Sequence, residues 1–345
     1  MQIHSIFKAH HIDALLVTKP ENVRYCSGFT DPDGDLLLTK RKRCLLTDFR
    51  TLGQAAKQSP EWTVVDRTNW HADDWRAFLK KLGMKRLGVE AGHMTIAHHT
   101  RLKSISRGVR LVLLHDAIEN MRAVKTEREI RLITRAVRIS ERAFRATVKN
   151  LKHGMRESEI AWRMERAMRD FGADGHAFPT IVASGPHSAN PHHANTTRKI
   201  RKDEFIILDF GAKVQGYCSD ITRTVMIGKA TSKQRDIFET VKRAQLSALA
   251  KMKPGVRCAD VDKAARSIIE NAGYGKHFGH ALGHGVGLEV HEAPTLSSRS
   301  TETLKVDNIV TNEPGIYIPR FGGVRIEDDV LITSSRPRIL STLPQ

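Results

Sequence analysis

The stretch FIILDFGAKVQGYCSD, residues 205–220, decides how the second half of this chain is read. A short apolar run leads into a glycine-bearing turn. A second extended run then continues through Thr222 and Val225 to Ile227. That order predicts a β-hairpin. With the turn centred on Val214 and Gln215, Asp209 stands directly opposite Asp220, with Cβ atoms roughly 4.5–5.5 Å apart. Two carboxylates at that distance repel unless a proton or a cation lies between them. The hairpin therefore calls for a cation and for further donors to hold it.

Three more candidates lie downstream. Glu313 sits in TNEPGIY (311–317), where Pro314 and Gly315 interrupt the strand ladder beside it. Glu327 sits in GGVRIEDD (322–329) and shares a sheet face with Arg325, because Val324, Ile326 and Asp328 alternate with them. His284 lies in FGHALGHGVGLEVHE (278–292), together with His280 and His291, among glycines that let backbone pack close to a site. Taken singly, each acid reads as a solvated residue. Together, Asp209, Asp220, His284, Glu313 and Glu327 read as ligands of a hard or borderline divalent ion such as Mn²⁺, Co²⁺, Fe²⁺ or Zn²⁺. Four carboxylates carry too much charge for one such ion, and two ions with a shared hydroxide bring the sum close to neutral. Upstream, SGPHSANPHHA (184–194) places His187, His192 and His193 on a loop, where functional groups concentrate.

The organisation around these segments follows from periodicity. Up to residue 118, strands at 12–17, 36–38, 44–46, 62–65, 86–89 and 109–114 alternate with helices near 50–58, 71–82 and 94–104. This predicts an α/β domain without a catalytic constellation. Thr126 and Glu129 form a capping box that opens a helix to about residue 150, and a second helix follows over 157–171. After the hairpin the order recurs: helices near 232–252 and 259–271, broken at Pro254-Gly255, then extended chain bearing Glu313 and Glu327. Helix, helix and an acid-bearing sheet, twice over, predict an α+β domain with an internal duplication over 119–345.

The chain has 345 residues and a formal charge of +18, shared between its halves. Arg128, Arg131, Arg135, Arg138, Arg142, Arg145 and Lys149 line one face of the helix over 126–150, opposite Ile130, Ile133, Val137, Phe144 and Val148. That stripe is read as a solvated face rather than a phosphate track, since no interleaved aromatics or nucleic-acid module accompany it. Cys26, Cys44, Cys218 and Cys258 lie far apart, which fits reduced thiols in a cytoplasmic protein. No apolar run approaches the ~20 residues of a membrane span, and the N-terminus lacks a signal peptide's apolar core.

The segments LDFGAKVQGYCSDITRT, GHGVGLEVHE, NEPGIY and GGVRIEDD, in that order, resemble the pita-bread metallopeptidases, the family of methionine aminopeptidase, aminopeptidase P and prolidase. The α/β domain ahead of them resembles the creatinase/prolidase branch. The resemblance implies that Asp209 binds one metal and His284 with Glu313 the other, while Asp220 and Glu327 bridge both. It also implies that His192 and His291 bind the scissile carbonyl region and that Glu313 shuttles a proton. Arg325 resembles an arginine near the family's metal site, with a supporting role in substrate binding. The implied activity is hydrolysis of Xaa-Pro bonds by a metal-bridging hydroxide, as a dipeptidase of prolidase type or, alternatively, as an aminopeptidase P on longer peptides. Manganese or cobalt are the expected ions, ahead of zinc or iron. Proline-containing peptides are the expected partners, and a homodimer is the expected assembly. The complete set of five ligands argues against a non-catalytic peptide- or nucleic-acid-binding relative. Asn312 before Glu313 and His193 after His192 depart from the family's usual residues without removing a ligand.

Overall fold

The computed structural model describes residues 3–344. Two compact units divide the chain at residues 122 and 123. In the first, α1 (His4–Ala9), β1 (Ala14–Val17), α2 (Pro20–Ser27), β2 (Asp35–Thr39), β3 (Arg43–Thr47), α3 (Leu52–Gln58), β4 (Thr63–Asp66), α4 (Ala72–Lys81), β5 (Arg86–Glu90), α5 (Ile96–Ile105), β6 (Arg110–Leu114) and α6 (Glu119–Arg122) follow one another. Their strands form one mixed sheet in the order β4-β3-β2-β1-β5-β6. β2 runs antiparallel to both neighbours, while β5 is parallel to β1 and to β6. Ala14, Leu15, Leu16 and Val17 are all buried, because helices cover both faces of this sheet. This is the expected α/β domain; α1 and α2 are helices that periodicity alone did not indicate.

The second unit opens with α7 (Glu127–Lys149) and α8 (Glu157–Asp170). The Thr126 side chain accepts from the Glu129 N–H, and Glu129 returns a bond to the Thr126 N–H, so the predicted capping box sets the start of α7. Ile133, Val137 and Phe144 are buried, and every cation of the stripe from Arg128 to Lys149 is exposed. Next come β7 (Gly175–His176), β8 (Ile181–Ser184), β9 (Phe205–Phe210), β10 (Ala212–Val214), β11 (Tyr217–Cys218) and β12 (Ile221–Met226). A second helix pair follows, α9 (Ser232–Lys251) and α10 (Cys258–Asn271). The chain then runs through β13 (Gly283–Gly285), β14 (Glu292–Leu296), β15 (Ile309–Asn312), β16 (Gly315–Ile318), β17 (Gly322–Arg325), β18 (Asp328–Leu331) and β19 (Arg338–Ile339).

Each helix pair packs its own apolar cluster against the strands that follow it. Ile133, Met164, Val182 and Leu208 belong to one cluster, and Ile237, Val261, Val310 and Ile326 to the other. The repeated helix-pair-and-sheet arrangement is the duplicated α+β architecture expected from the sequence.

The hairpin forms, with one correction. Lys213 pairs with Cys218 and Val214 with Tyr217, so the two turn residues are Gln215 and Gly216. Both have positive φ, 46° and 80°, the backbone a type I′ turn requires. The register moves by two residues relative to a turn on Val214 and Gln215. Asp209 therefore stands opposite Thr222, and Asp220 is its diagonal neighbour.

Candidate metal centre

Despite that shift, the two aspartates converge. A carboxylate oxygen from each of Asp209, Asp220 and Glu327 lies within 4.8 Å of the others. A second group of the same span joins His284, Glu313 and Glu327, and a third joins Asp220, His284 and His291. All five residues singled out as ligands thus meet in one place, with Asp220, His284 and Glu327 each common to two groups.

Their supports come from the strands. Asp209 lies on β9, and Asp220 is the residue before β12; the Asp220 N–H donates to Asp329 Oδ2 at 3.0 Å. Glu327 lies between β17 and β18. Its N–H donates to the Thr222 carbonyl at 3.1 Å, and its Oε2 accepts from Thr222 Oγ1 at 2.6 Å. Thr222 therefore joins the two halves of the duplicated unit. Glu313 follows β15, where its N–H donates to the Leu282 carbonyl at 2.9 Å and its Oε1 accepts from Thr311 Oγ1 at 3.1 Å.

His284 has a fixed tautomer. Its Nδ1 lies 3.1 Å from the Gly285 carbonyl, which only accepts, so Nδ1 carries the proton. Nε2 is the atom left to bind a metal, 3.2 Å from Glu313 Oε1 and 3.6 Å from Asp220 Oδ2; burial would lower the ring's pKa, but the hydrogen bond to Glu313 outweighs that and raises it. Gly283 and Gly285 flank it because side chains there would meet the carbonyl oxygens of Thr311 and Ala293 at 2.2 and 2.1 Å.

Electrostatics show what the cluster lacks. Burial, and then the neighbouring carboxylates, push Asp220 and Glu327 far above the usual carboxylate range. Burial also raises Asp209, and Arg325 beside it offsets only part of that rise. Asp209 Oδ1 is buried without a hydrogen-bond partner among the described residues. Crowded oxygens, one orphaned carboxylate oxygen and one imidazole nitrogen are the donor set of a divalent-ion site. The residues present fit metal ions.

These groups line a cleft of about 700 Å³. Phe178, Pro179, Ile181 and Val290 form apolar wall, and His192 and His291 are exposed at its rim. The His291 ring centroid is 4.3 Å from that of His284. Arg325 is buried beneath the cleft. It donates to Asp209 Oδ2 at 2.6 Å, Thr222 Oγ1 at 3.0 Å, the Tyr317 hydroxyl at 3.0 Å and the Pro191 carbonyl at 3.4 Å. The last bond ties the loop bearing His192 to the acid cluster. His280 is occupied elsewhere, between the Ala281 carbonyl and the Tyr317 hydroxyl. His187 and His193 bond to Glu157, and His193 also lines the cleft.

Sequence reasoning missed Thr222, Asp329, Tyr317 and Glu157. Thr222 was hidden by the register, and a Gln-Gly turn would have exposed it. The other three carry no local signal.

The chain matches the model of metallopeptidase family M24 over residues 131–334, and that of the creatinase/prolidase N-terminal domain over residues 2–124. The chain belongs to family M24. It is 38% identical to a Xaa-Pro dipeptidase of Pyrococcus horikoshii over 330 residues, covering 96% of this chain and 93% of that one. Its fold matches the structure of a Xaa-Pro dipeptidase from Bacillus anthracis with a TM-score of 0.96 at 37% identity, covering 99% of this chain and 96% of that one. It also matches an X-Pro aminopeptidase from Thermotoga maritima with a TM-score of 0.90 at 38% identity, covering 98% and 97% of the two chains. Membership in M24 makes the protein a metallopeptidase that uses divalent ions and peptide substrates. No helix among the described residues is long and apolar enough to cross a membrane.

Proposed function

We propose that this M24 metallopeptidase cleaves the bond preceding proline in Xaa-Pro dipeptides, with its catalytic apparatus within residues 119–345. The observation that carries the proposal is the convergence of Asp209, Asp220, His284, Glu313 and Glu327 in overlapping groups of donor atoms. In this reading Asp209 serves one ion, His284 and Glu313 serve the other, and Asp220 and Glu327 serve both. Oxygen-rich donors with one imidazole suit Mn²⁺ or Co²⁺ ahead of Zn²⁺ or Fe²⁺. Bound there, two ions supply Lewis acidity and an acidified water near neutral pH.

The chain's own groups do the rest. His192 and His291, at the rim, donate hydrogen bonds to the scissile carbonyl as negative charge develops on it. The Glu313 carboxyl receives a proton on one side of the bond and delivers it to the prolyl nitrogen. Arg325 holds Asp209 and the loop before His192 in register. The apolar wall of Phe178, Pro179, Ile181 and Val290 suits the proline ring. That ring removes the N–H other peptidases hold, so a pocket shaped for it confers specificity.

The similarity to the Thermotoga aminopeptidase favours a second reading, action on longer Xaa-Pro-Yaa peptides. Parallel assays of a Xaa-Pro dipeptide and a Xaa-Pro-Yaa tripeptide with the manganese-loaded protein decide between them. Preference for the dipeptide supports the first reading, preference for the tripeptide the second, and hydrolysis of neither ends both. A homodimer is part of the proposal, and light scattering measures it. The arginine face of α7 is assigned to solvent, which predicts no retention of nucleic acid at physiological salt.

A further inference from the structure

Glu157 opens α8 with its side chain fully buried. Its Oε1 accepts from the Ser184 N–H at 3.0 Å and Ser184 Oγ at 2.7 Å; its Oε2 accepts from Thr196 Oγ1 at 2.6 Å and the Thr196 N–H at 3.2 Å. Those four donors fix the carboxylate, and two imidazoles then face it. His187 Nδ1 is 3.1 and 3.2 Å from the two oxygens, and His193 Nε2 is 3.0 Å from Oε2. One donor atom from each residue lies within 4.8 Å of the others. We propose that Glu157, His187 and His193 form a third divalent-cation site, of zinc type, separate from the five-donor cluster.

Zinc holds nitrogen and oxygen ligands at roughly 2.0–2.2 Å, so neighbouring ligands in a tetrahedron stand about 3.3–3.5 Å apart. The nitrogen–oxygen separations here are 3.0–3.2 Å, a little short of that value, and the two imidazole nitrogens lie within 4.8 Å of each other. Each imidazole must move its proton to the other ring nitrogen. Neither His187 Nε2 nor His193 Nδ1 has a protein hydrogen-bond partner among the described residues, so the change breaks no bond there. Ser184 and Thr196 already supply the outer layer that orients a ligating carboxylate. Hydrogen bonds hold Glu157 ionised, with its pKa lowered to about 2.

The nearest cation, Arg198, donates to Ser184 Oγ at 2.5 Å but is paired with both oxygens of Glu204 at 2.7 Å, which compensates its charge. His187 is 34% exposed, which leaves the fourth position open to water. The other two ligands are nearly or wholly buried, so the site is built into the fold and not a chance surface pair. A cation there would fasten the loop bearing His192 to the start of α8.

The test is a zinc titration of the metal-free full chain by equilibrium dialysis, with cobalt as a spectroscopic probe. The proteins are wild type, His187→Ala, His193→Ala, and an Asp220→Asn/Glu327→Gln double variant. Wild type is expected to bind one equivalent more than either histidine variant, and the double variant is expected to retain that equivalent. A lost ligand should weaken the step by more than the roughly 10–100-fold that loss of an outer partner costs. Cobalt at this site should give a tetrahedral visible band that disappears in His187→Ala. That variant, altered at the partly exposed ligand, is expected to keep its manganese-dependent peptidase activity and to stay folded at the assay temperature. Equal zinc counts in wild type and His187→Ala, or a cobalt band unchanged by that substitution, would overturn the proposal and leave Glu157 a hydrogen-bonding hub alone.

Discussion

Arg325 Nη2 lies 2.6 Å from Asp209 Oδ2, while the other oxygen of that carboxylate is buried with no partner among the described residues. One half of Asp209 is thus neutralised by the protein, and the other half is left for a cation. The same guanidinium holds Thr222, Tyr317 and the Pro191 carbonyl, so a single planar fork aligns both the ligand and the substrate loop.

Replacing that fork is expected to be costly. Arg325→Lys keeps the charge but cannot reproduce four divergent bonds. It should lower kcat/KM by roughly 10–100-fold, about 1.4–2.8 kcal/mol of transition-state stabilisation. Steady-state kinetics on a Xaa-Pro substrate checks this, with circular dichroism confirming the fold.

Thr222→Val removes the hydroxyl that donates to Glu327 Oε2 and accepts from Arg325 Nε while preserving shape. Loss of such an outer partner typically weakens metal binding 10–100-fold, so about that loss of manganese affinity is expected with little change in melting temperature of the metal-free protein. Metal titration of the variant and wild type measures it.

Ions that bind only the folded protein stabilise it by mass action. Saturation to about 100 times Kd contributes ~2.7 kcal/mol per site. Calorimetry should show the melting temperature of the second unit rising by roughly 5 °C or more on adding manganese to the metal-free protein. Relief of the repulsion among Asp209, Asp220 and Glu327 is the local cause.

Glu157 gives a pH signature. Burial alone would raise its pKa, but hydrogen bonds from Thr196, His193 and Ser184 outweigh that and bring it from 4.5 to about 2. A carboxyl lowered by folding adds stability above its unfolded pKa, and that stability drains away as pH falls from about 4.5 toward 2. Glu157→Gln should cost roughly 2–4 kcal/mol at pH 7 and flatten the stability profile below pH 5. Urea unfolding of wild type and variant at pH 7 and pH 4, monitored for the second unit, makes the comparison.

Local signals made the longer helices and most strands legible. The capping box at Thr126 and Glu129 and the three-and-four spacing of α7 each act within a few residues, and each appears in the fold. The alternation read through Glu327 does not: β17 ends at Arg325, β18 begins at Asp328 in another sheet, and Glu327 sits in the break between them. The register of the hairpin did not follow from apolar pattern, because a shift by two residues keeps every side chain on its face. Only the left-handed backbone at Gln215 and Gly216 selects the true pairing. The supports were hidden for another reason. Thr222 meets Glu327 across 105 residues, Arg325 meets Asp209 across 116, and His193 meets Glu157 across 36. No window on the sequence spans those separations.

The most direct test of the central claim is an anomalous-difference map from crystals of the manganese-loaded protein. The account predicts two peaks, roughly 3.5–4 Å apart, enclosed by Asp209, Asp220, His284, Glu313 and Glu327. Manganese bound elsewhere, with no peak among those five side chains, would contradict it.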